Sequence, residues 1–306
     1  MIKLFSGTNS AYLAQKVAKL ADIALAEAEV IRFENSEARV RIIEKVKDQV
    51  CAVLQTTSNP TDANILELLF FCDALKRSQS KRVIAIIPYF GYARQNIQHR
   101  DGEDVSAHVI IKLLESVGFD EVWTVDLHDE ASQGIFSVPL KHLSALPLLA
   151  DRVRKYLQTT DDVVVASPDQ GGVERSRAFI KFFFGDEKRE LVVIEKKRDL
   201  QQIHKSEAIS IYGNVKEKTV ILVDDIVTLG GTLINAAELC LKNGAKRIIA
   251  AVTHHDFAGN GWQKIQNSQI EKFFTTDTIL LKDEQKFPKL EEVSVASLLA
   301  EELKKI

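Results

Sequence analysis

Short apolar runs rich in β-branched residues alternate with longer helical patterns through most of this chain, and that rhythm constrains the fold more than any other feature. Parallel strands need long crossover connections, usually helical, so the alternation predicts parallel sheets joined by helices. Strands are expected at residues 50–55, 82–87, 121–125, 163–167, 191–195, 219–223, 247–252 and 272–276. Their unbroken apolar character predicts burial on both faces. Helices are expected at 62–77, 106–117, 173–184 and 232–242, the last stopped by Asn243-Gly244.

With 306 residues there is room for two domains with separate cores. A break at Leu146-Pro147, followed by a polar helix ending at 158–162, divides the chain into an N-terminal domain, 1–147, and a C-terminal domain, 148–306. Each is expected to be a doubly wound parallel sheet of α/β class. The formal charge of −3 gives no general attraction to nucleic acid or anionic lipid, so phosphate chemistry has to be local. The three cysteines, Cys51, Cys72 and Cys240, sit in apolar stretches and read as buried thiols in a reducing compartment. No leader or membrane span is expected, which points to the cytoplasm.

In open α/β sheets, ligands bind beyond the carboxyl ends of the strands. The stretch from Thr219 to Thr232 joins a strand, Asp224 and Asp225, Thr228, the glycine pair Gly230-Gly231 and a helix start at Thr232. Glycines let backbone N–H groups approach a phosphate, the helix dipole favours its charge, and the acids suit ribose hydroxyls or metal-bound water. The alternative is an ordinary βα turn whose acids cap the next helix. Ser167-Pro-Asp-Gln-Gly-Gly-Val173 is a second anion or metal loop, or a plain Pro-Gly turn. Asp126-Leu-His128 brings an imidazole and a carboxylate to a strand end, where histidine is also common as a structural residue. Pro88-Tyr-Phe-Gly-Tyr-Ala-Arg-Gln95 suits base stacking and phosphate pairing, and Glu195-Lys-Lys-Arg198 suits neutralising a transferring phosphoryl group. Together these make a phosphoryl-transfer inventory.

At these residues the chain resembles the ribose-phosphate diphosphokinase (phosphoribosyl pyrophosphate synthetase) family nearly end to end. Phe5-Ser-Gly7, Asn59-Pro-Thr-Asp62, Glu67-Leu-Leu69, the runs 73–77, 88–95, 126–128 and 167–173, Thr253-His254, Thr276-Asp-Thr-Ile279 and the closing run 294–300 follow in the family's order. The resemblance implies two phosphoribosyltransferase-like domains and transfer of the diphosphoryl group of ATP to ribose 5-phosphate, with Mg2+ required. It implies that Arg94 and Gln95 bind ATP, that Phe33, Asn35 and Glu37 contribute to an adenine pocket across a subunit boundary, and that His128 and Asp169 are the metal residues, meeting magnesium-bound nucleotide or substrate. Lys196 and Arg198 then lie on a flexible catalytic loop, while Asp224, Asp225, Thr228, Gly230, Gly231 and Thr232 hold ribose 5-phosphate. Homo-oligomers, dimers building to hexamers, are implied too.

Three positions depart from the family pattern. Asn35-Ser-Glu37 replaces Asp-Gly-Glu, Ala131 replaces a glutamine, and Thr228-Leu229 replaces an acid followed by threonine. The last change leaves two other readings open: a regulatory paralogue that assembles with a true synthetase, and a phosphoribosyltransferase acting on a base.

Overall fold

Every strand expected from an apolar run is present in the computed structural model, which describes residues 2–98, 100–198 and 206–306. The chain forms two compact units, each with its own sheet. The first begins with β1 (Ile2–Ser6), α1 (Ala11–Ala21) and a hairpin of β2 (Ala28–Arg32) and β3 (Ala38–Ile42). It continues through β4 (Val50–Leu54), α2 (Thr61–Arg77), β5 (Arg82–Ile87), α3 (Ser106–Val117), β6 (Glu121–Val125), a 3-10 turn (Glu130–Ile135) and β7 (Leu140–Leu143). Its sheet order is β1-β4-β5-β6-β7, all parallel. Alternation along the strands sends Phe5, Cys51, Val53, Val83 and Ala85 to one face, against Leu68, Phe71 and Cys72 of α2 and Ile111 and Leu114 of α3. The intervening Leu4, Ala52, Leu54, Ile84 and Ile86 are equally buried, as a doubly covered sheet requires.

The second unit contains α4 (Leu146–Leu157), β8 (Val163–Ser167), α5 (Val173–Phe184), β9 (Leu191–Arg198), β10 (Ser206–Tyr212), β11 (Thr219–Val227), α6 (Gly231–Lys242), β12 (Arg247–His255), α7 (Gly261–Asn267), β13 (Lys272–Thr276) and β14 (Leu290–Val293). The order is β10-β9-β8-β11-β12-β13-β14, parallel except for the antiparallel β9–β10 pair. Leu149, Val153, Phe179 and Phe183 of α4 and α5 cover one face, and Leu233, Ala236 and Cys240 of α6 cover the other.

The units differ from a single cut at residue 147. The first comprises residues 2–144 together with Thr278–Leu280 and Ser294–Ile306, so the final helix, α8 (Ala296–Leu303), belongs to it and packs on α1. The reason is amphipathic: Leu299 and Leu303 need an apolar surface, and α1 presents Leu13, Ala14 and Val17.

Three strands, β9, β11 and β12, outrun their expected ends. β11 continues to Val227 because β12 pairs with it as far as His255, which puts Asp224 and Asp225 inside the sheet instead of in a loop. β9 continues through Lys196 to Arg198, opposite Ala208 and Ser206, because β10 supplies an antiparallel partner. The three cysteines are buried as expected, and burial pushes the Cys51 thiol up to about 11 and those of Cys72 and Cys240 to about 12. Among the described residues no helix is long and apolar enough to cross a membrane.

Candidate functional site

Two strand-end loops of the first unit are joined. The loop after β5 turns at Tyr92, a non-glycine residue in the left-handed region at φ 65°, and three bonds hold it there. Thr57 Oγ1 accepts from Gly91 N–H at 2.7 Å and donates to the Tyr89 carbonyl at 3.0 Å, while the Tyr92 hydroxyl donates to Asp62. A Cβ at position 91 would collide with the Thr57 carbonyl, so glycine is required for that approach. Arg94 and Gln95 follow on the exposed side of this turn. Gln95 is fixed by its N–H to the Tyr92 carbonyl at 2.9 Å and by Ser106 Oγ 2.6 Å from its side-chain oxygen.

The second loop, after β6, carries His128. Asp126 also takes a left-handed conformation, φ 39°, and its N–H donates to the Leu143 carbonyl at 2.9 Å. Asp129 then accepts from Ala131 N–H at 3.0 Å and from Asn96 Nδ2 at 2.6 Å, and the latter bond ties this loop to the one bearing Arg94 and Gln95. Sequence reasoning singled out neither Asn96 nor Asp129. Their spacing from the motif residues was the available signal.

Phe33, Asn35 and Glu37 occupy the tip of the β2–β3 hairpin, all exposed. The tip closes on itself: Phe33 N–H donates to the Glu37 carbonyl at 2.8 Å, Glu37 N–H to Asn35 Oδ1 at 3.2 Å, and Arg32 to the Ser36 carbonyl at 3.1 Å. The asparagine therefore forms an Asx turn that fixes its oxygen inward on the tip. The Arg39 guanidinium lies 5.9 Å from the Phe33 ring centre, beside a ring that is 44% exposed and open to stacking.

In the second unit the acids converge. Asp224 and Asp225 are nearly buried, and Arg175, in the first turn of α5, reaches both, at 3.2 Å from Asp225 Oδ1 and 3.7 Å from Asp224 Oδ1. Burial, followed by the negative charge of Asp225, holds the Asp224 carboxyl well above its ordinary value; Arg175 works against both. Asp169 adds a further negative charge, and its Oδ1 accepts from Gly172 N–H at 3.1 Å, which shapes the 167–173 turn. Arg175 went unnoticed in the sequence because it sits inside a regular helical pattern.

Beyond β11 the chain makes a tight turn into α6. Gly230 has φ 77° and lies against Ile265, whereas a Cβ at Gly231 would meet nothing within 4 Å. An open glycine at a helix N-terminus leaves backbone N–H groups available to an anion. Thr228 and Thr232 flank the pair, half-buried, and Gly261 packs so closely on the Thr228 carbonyl that no side chain fits there. Lys196 and Arg198 are the remaining expected site residues; their backbone lies in β9, and their side chains fall outside the described residues.

Among the described residues no group of three or more His, Cys, Asp or Glu side chains gathers to hold a metal ion. Of the two expected ligands, each in its own unit, Asp169 carries a hard carboxylate oxygen and His128 a softer imidazole nitrogen.

Two family models match. One describes the N-terminal domain of ribose phosphate pyrophosphokinase, over residues 2–118, and the other the phosphoribosyl transferase domain, over residues 141–283. Ribose-phosphate pyrophosphokinase 1 of Streptococcus agalactiae is 37% identical over 305 residues, covering 100% of this chain and 94% of that protein. The same protein of Streptococcus mutans is also 37% identical over that length. Phosphoribosylpyrophosphate synthetase from Mycobacterium smegmatis superposes with a TM-score of 0.91 at 33% identity, over 99% of this chain and 97% of that one.

Proposed function

The chain belongs to the ribose-phosphate pyrophosphokinase family, and from that premise we propose that it transfers the diphosphoryl group of ATP to the anomeric hydroxyl of ribose 5-phosphate, giving phosphoribosyl pyrophosphate and AMP. The observation that carries this reading is the β11–α6 turn: two nearly buried acids held by Arg175, then Gly230-Gly231 opening onto a helix start. That arrangement grips a pentose monophosphate at both ends. The backbone N–H groups and the Thr228 and Thr232 hydroxyls take the phosphate, and Asp224 and Asp225 accept from ring hydroxyls.

On the nucleotide side, Phe33 stacks on the base with Asn35 and Glu37 at its edge, while Arg94 and Gln95 hold the phosphates and sugar. Mg2+, when bound, neutralises charge on the nucleotide phosphates, with Asp169 supplying an oxygen ligand and His128 contacting the metal-bound nucleotide. Lys196 and Arg198 stabilise the negative charge that builds on the transferring group. Such a transfer depends on in-line positioning and charge neutralisation more than on an activated nucleophile, so no strong base is needed at the ribose hydroxyl. Assembly is proposed as dimers building to hexamers, with the hairpin tip serving a neighbouring copy.

Purified protein given ATP, Mg2+ and ribose 5-phosphate is expected to release AMP and phosphoribosyl pyrophosphate in equal amounts, and chelation of magnesium is expected to stop it. The Thr228-Leu229 pair favours one other reading, a regulatory subunit. Absence of AMP together with tight binding to an active synthetase would replace the enzyme assignment with that one.

A further inference from the structure

Leu127 N–H, inside the turn between Asp126 and His128, donates to His142 Nε2 at 2.9 Å. A backbone amide only donates, so Nε2 carries the lone pair and the neutral ring holds its proton on Nδ1. Gln133 Nε2 lies 3.2 Å from that Nδ1, where two donors would face each other, so the amide is assigned with its nitrogen and oxygen exchanged and its oxygen accepts the Nδ1 proton. The chain Leu127 N–H, His142, Gln133 has a single consistent proton arrangement. It also has a geometric purpose. Left-handed Asp126 turns the backbone out of β6, and an unmatched N–H in that nearly buried turn would carry a desolvation cost. Two adjacent residues of β7 capture the two adjacent N–H groups: the Leu143 carbonyl takes that of Asp126, and the His142 ring takes that of Leu127.

We infer that His142 is a positioning residue that fixes the 126–128 turn, and with it His128, through its Nδ1–H tautomer and a hydrogen bond to Leu127. Its effect is on nucleotide binding, which rests on the proposed role of His128. The residue itself does not touch substrate.

His142→Ala is expected to raise the KM for ATP by about ten- to a hundredfold, with a smaller change in kcat and an unchanged KM for ribose 5-phosphate. His142→Gln, whose side-chain oxygen accepts the same N–H, is expected to restore most of the loss. Nitrogen-15 NMR of labelled histidine in the native protein is expected to show an unprotonated Nε2 and a protonated Nδ1. A protonated Nε2 in the native protein, or an Ala variant with native KM for ATP, overturns the inference; the NMR result decides it if the Ala variant does not fold. Failure of the native protein to release AMP would instead strike at the functional reading, and the tautomer would still stand or fall by its own spectrum.

Discussion

Asn96 Nδ2 lies 2.6 Å from Asp129 Oδ2, and this one bond joins the turn after β5 to the turn after β6. The residues proposed to hold nucleotide, Arg94 and Gln95 on one turn and His128 on the other, are thereby fixed relative to each other. Substituting Asn96→Ala breaks the tie and leaves a carboxylate without that donor. The expected result is a KM for ATP raised about tenfold, with a stability loss of about 1 kcal/mol in urea unfolding. An unchanged KM for ATP would show that the two turns act independently.

Burial and the neighbouring Asp225 raise the Asp224 carboxyl, and Arg175 opposes them. Asp224 has its carboxyl raised by burial and by Asp225, so its contribution to stability is present below the ordinary carboxylate value of about 4 and is lost as pH rises through the raised folded value. Asp224→Asn escapes that loss. It is expected to be more stable than the native protein near neutral pH, on the order of 1 kcal/mol, and equally stable in acid. Turnover is expected to fall by about a hundredfold. Denaturant melts at two pH values, paired with an AMP assay, check both halves.

The turn at Thr228 depends on a residue far along the chain. Gly261 packs on the Thr228 carbonyl, and any Cβ there forces the turn to move. Gly261→Ala is expected to cost about 1–3 kcal/mol and to raise the KM for ribose 5-phosphate while sparing that for ATP. Equal effects on both substrates would place the damage in general folding.

Lys196→Ala is expected to lower kcat by a hundredfold or more, on the order expected for losing one group that stabilises charge in the transition state, with an unaltered circular dichroism spectrum. Native turnover in the variant would remove the charge-neutralising role from β9.

In the first unit, Lys141 at 2.8 Å, followed by Lys305, holds the Glu302 carboxyl below its usual range. The sign is the reverse of that at Asp224: the stabilisation is present above the ordinary value of about 4.3 and disappears as pH falls through the lowered one. Glu302→Gln is therefore expected to cost about 0.5–1 kcal/mol near neutral pH and nothing in strong acid. Urea midpoints across that range measure it.

The eight expected strands were legible because each is a continuous apolar run, as a doubly covered sheet requires, whereas the edge strands β1, β7 and β14 were not expected. Neither was the hairpin. β3 alternates Ala38, Arg39, Val40, Arg41, Ile42, a short period-2 pattern that signals a half-covered strand and falls outside a search for continuous apolar runs. β10 was missed as well: it is an edge strand that pairs antiparallel with β9, outside the repeating strand-and-helix rhythm. The same gap misplaced the ends of β9, β11 and β12, because a strand's length is set by what lies beside it and not by its own residues. The site followed the same division. Glycines and acids at strand ends announce their chemistry through composition, as Gly230 and Asp169 do. The residues that orient them, Arg175, Asn96, Asp129 and His142, come from other elements and are visible only once the chain is folded.

Packing of α8 on α1 has a consequence for biosynthesis. The helix that completes the first unit is translated after the whole of the second, so the five strands of the first sheet emerge early while the unit they belong to is completed last. Until Leu299 and Leu303 clear the ribosome, the α1 surface they cover stays bare, and a chaperone that shields it during that interval would be guarding the start of the polypeptide on behalf of its tail.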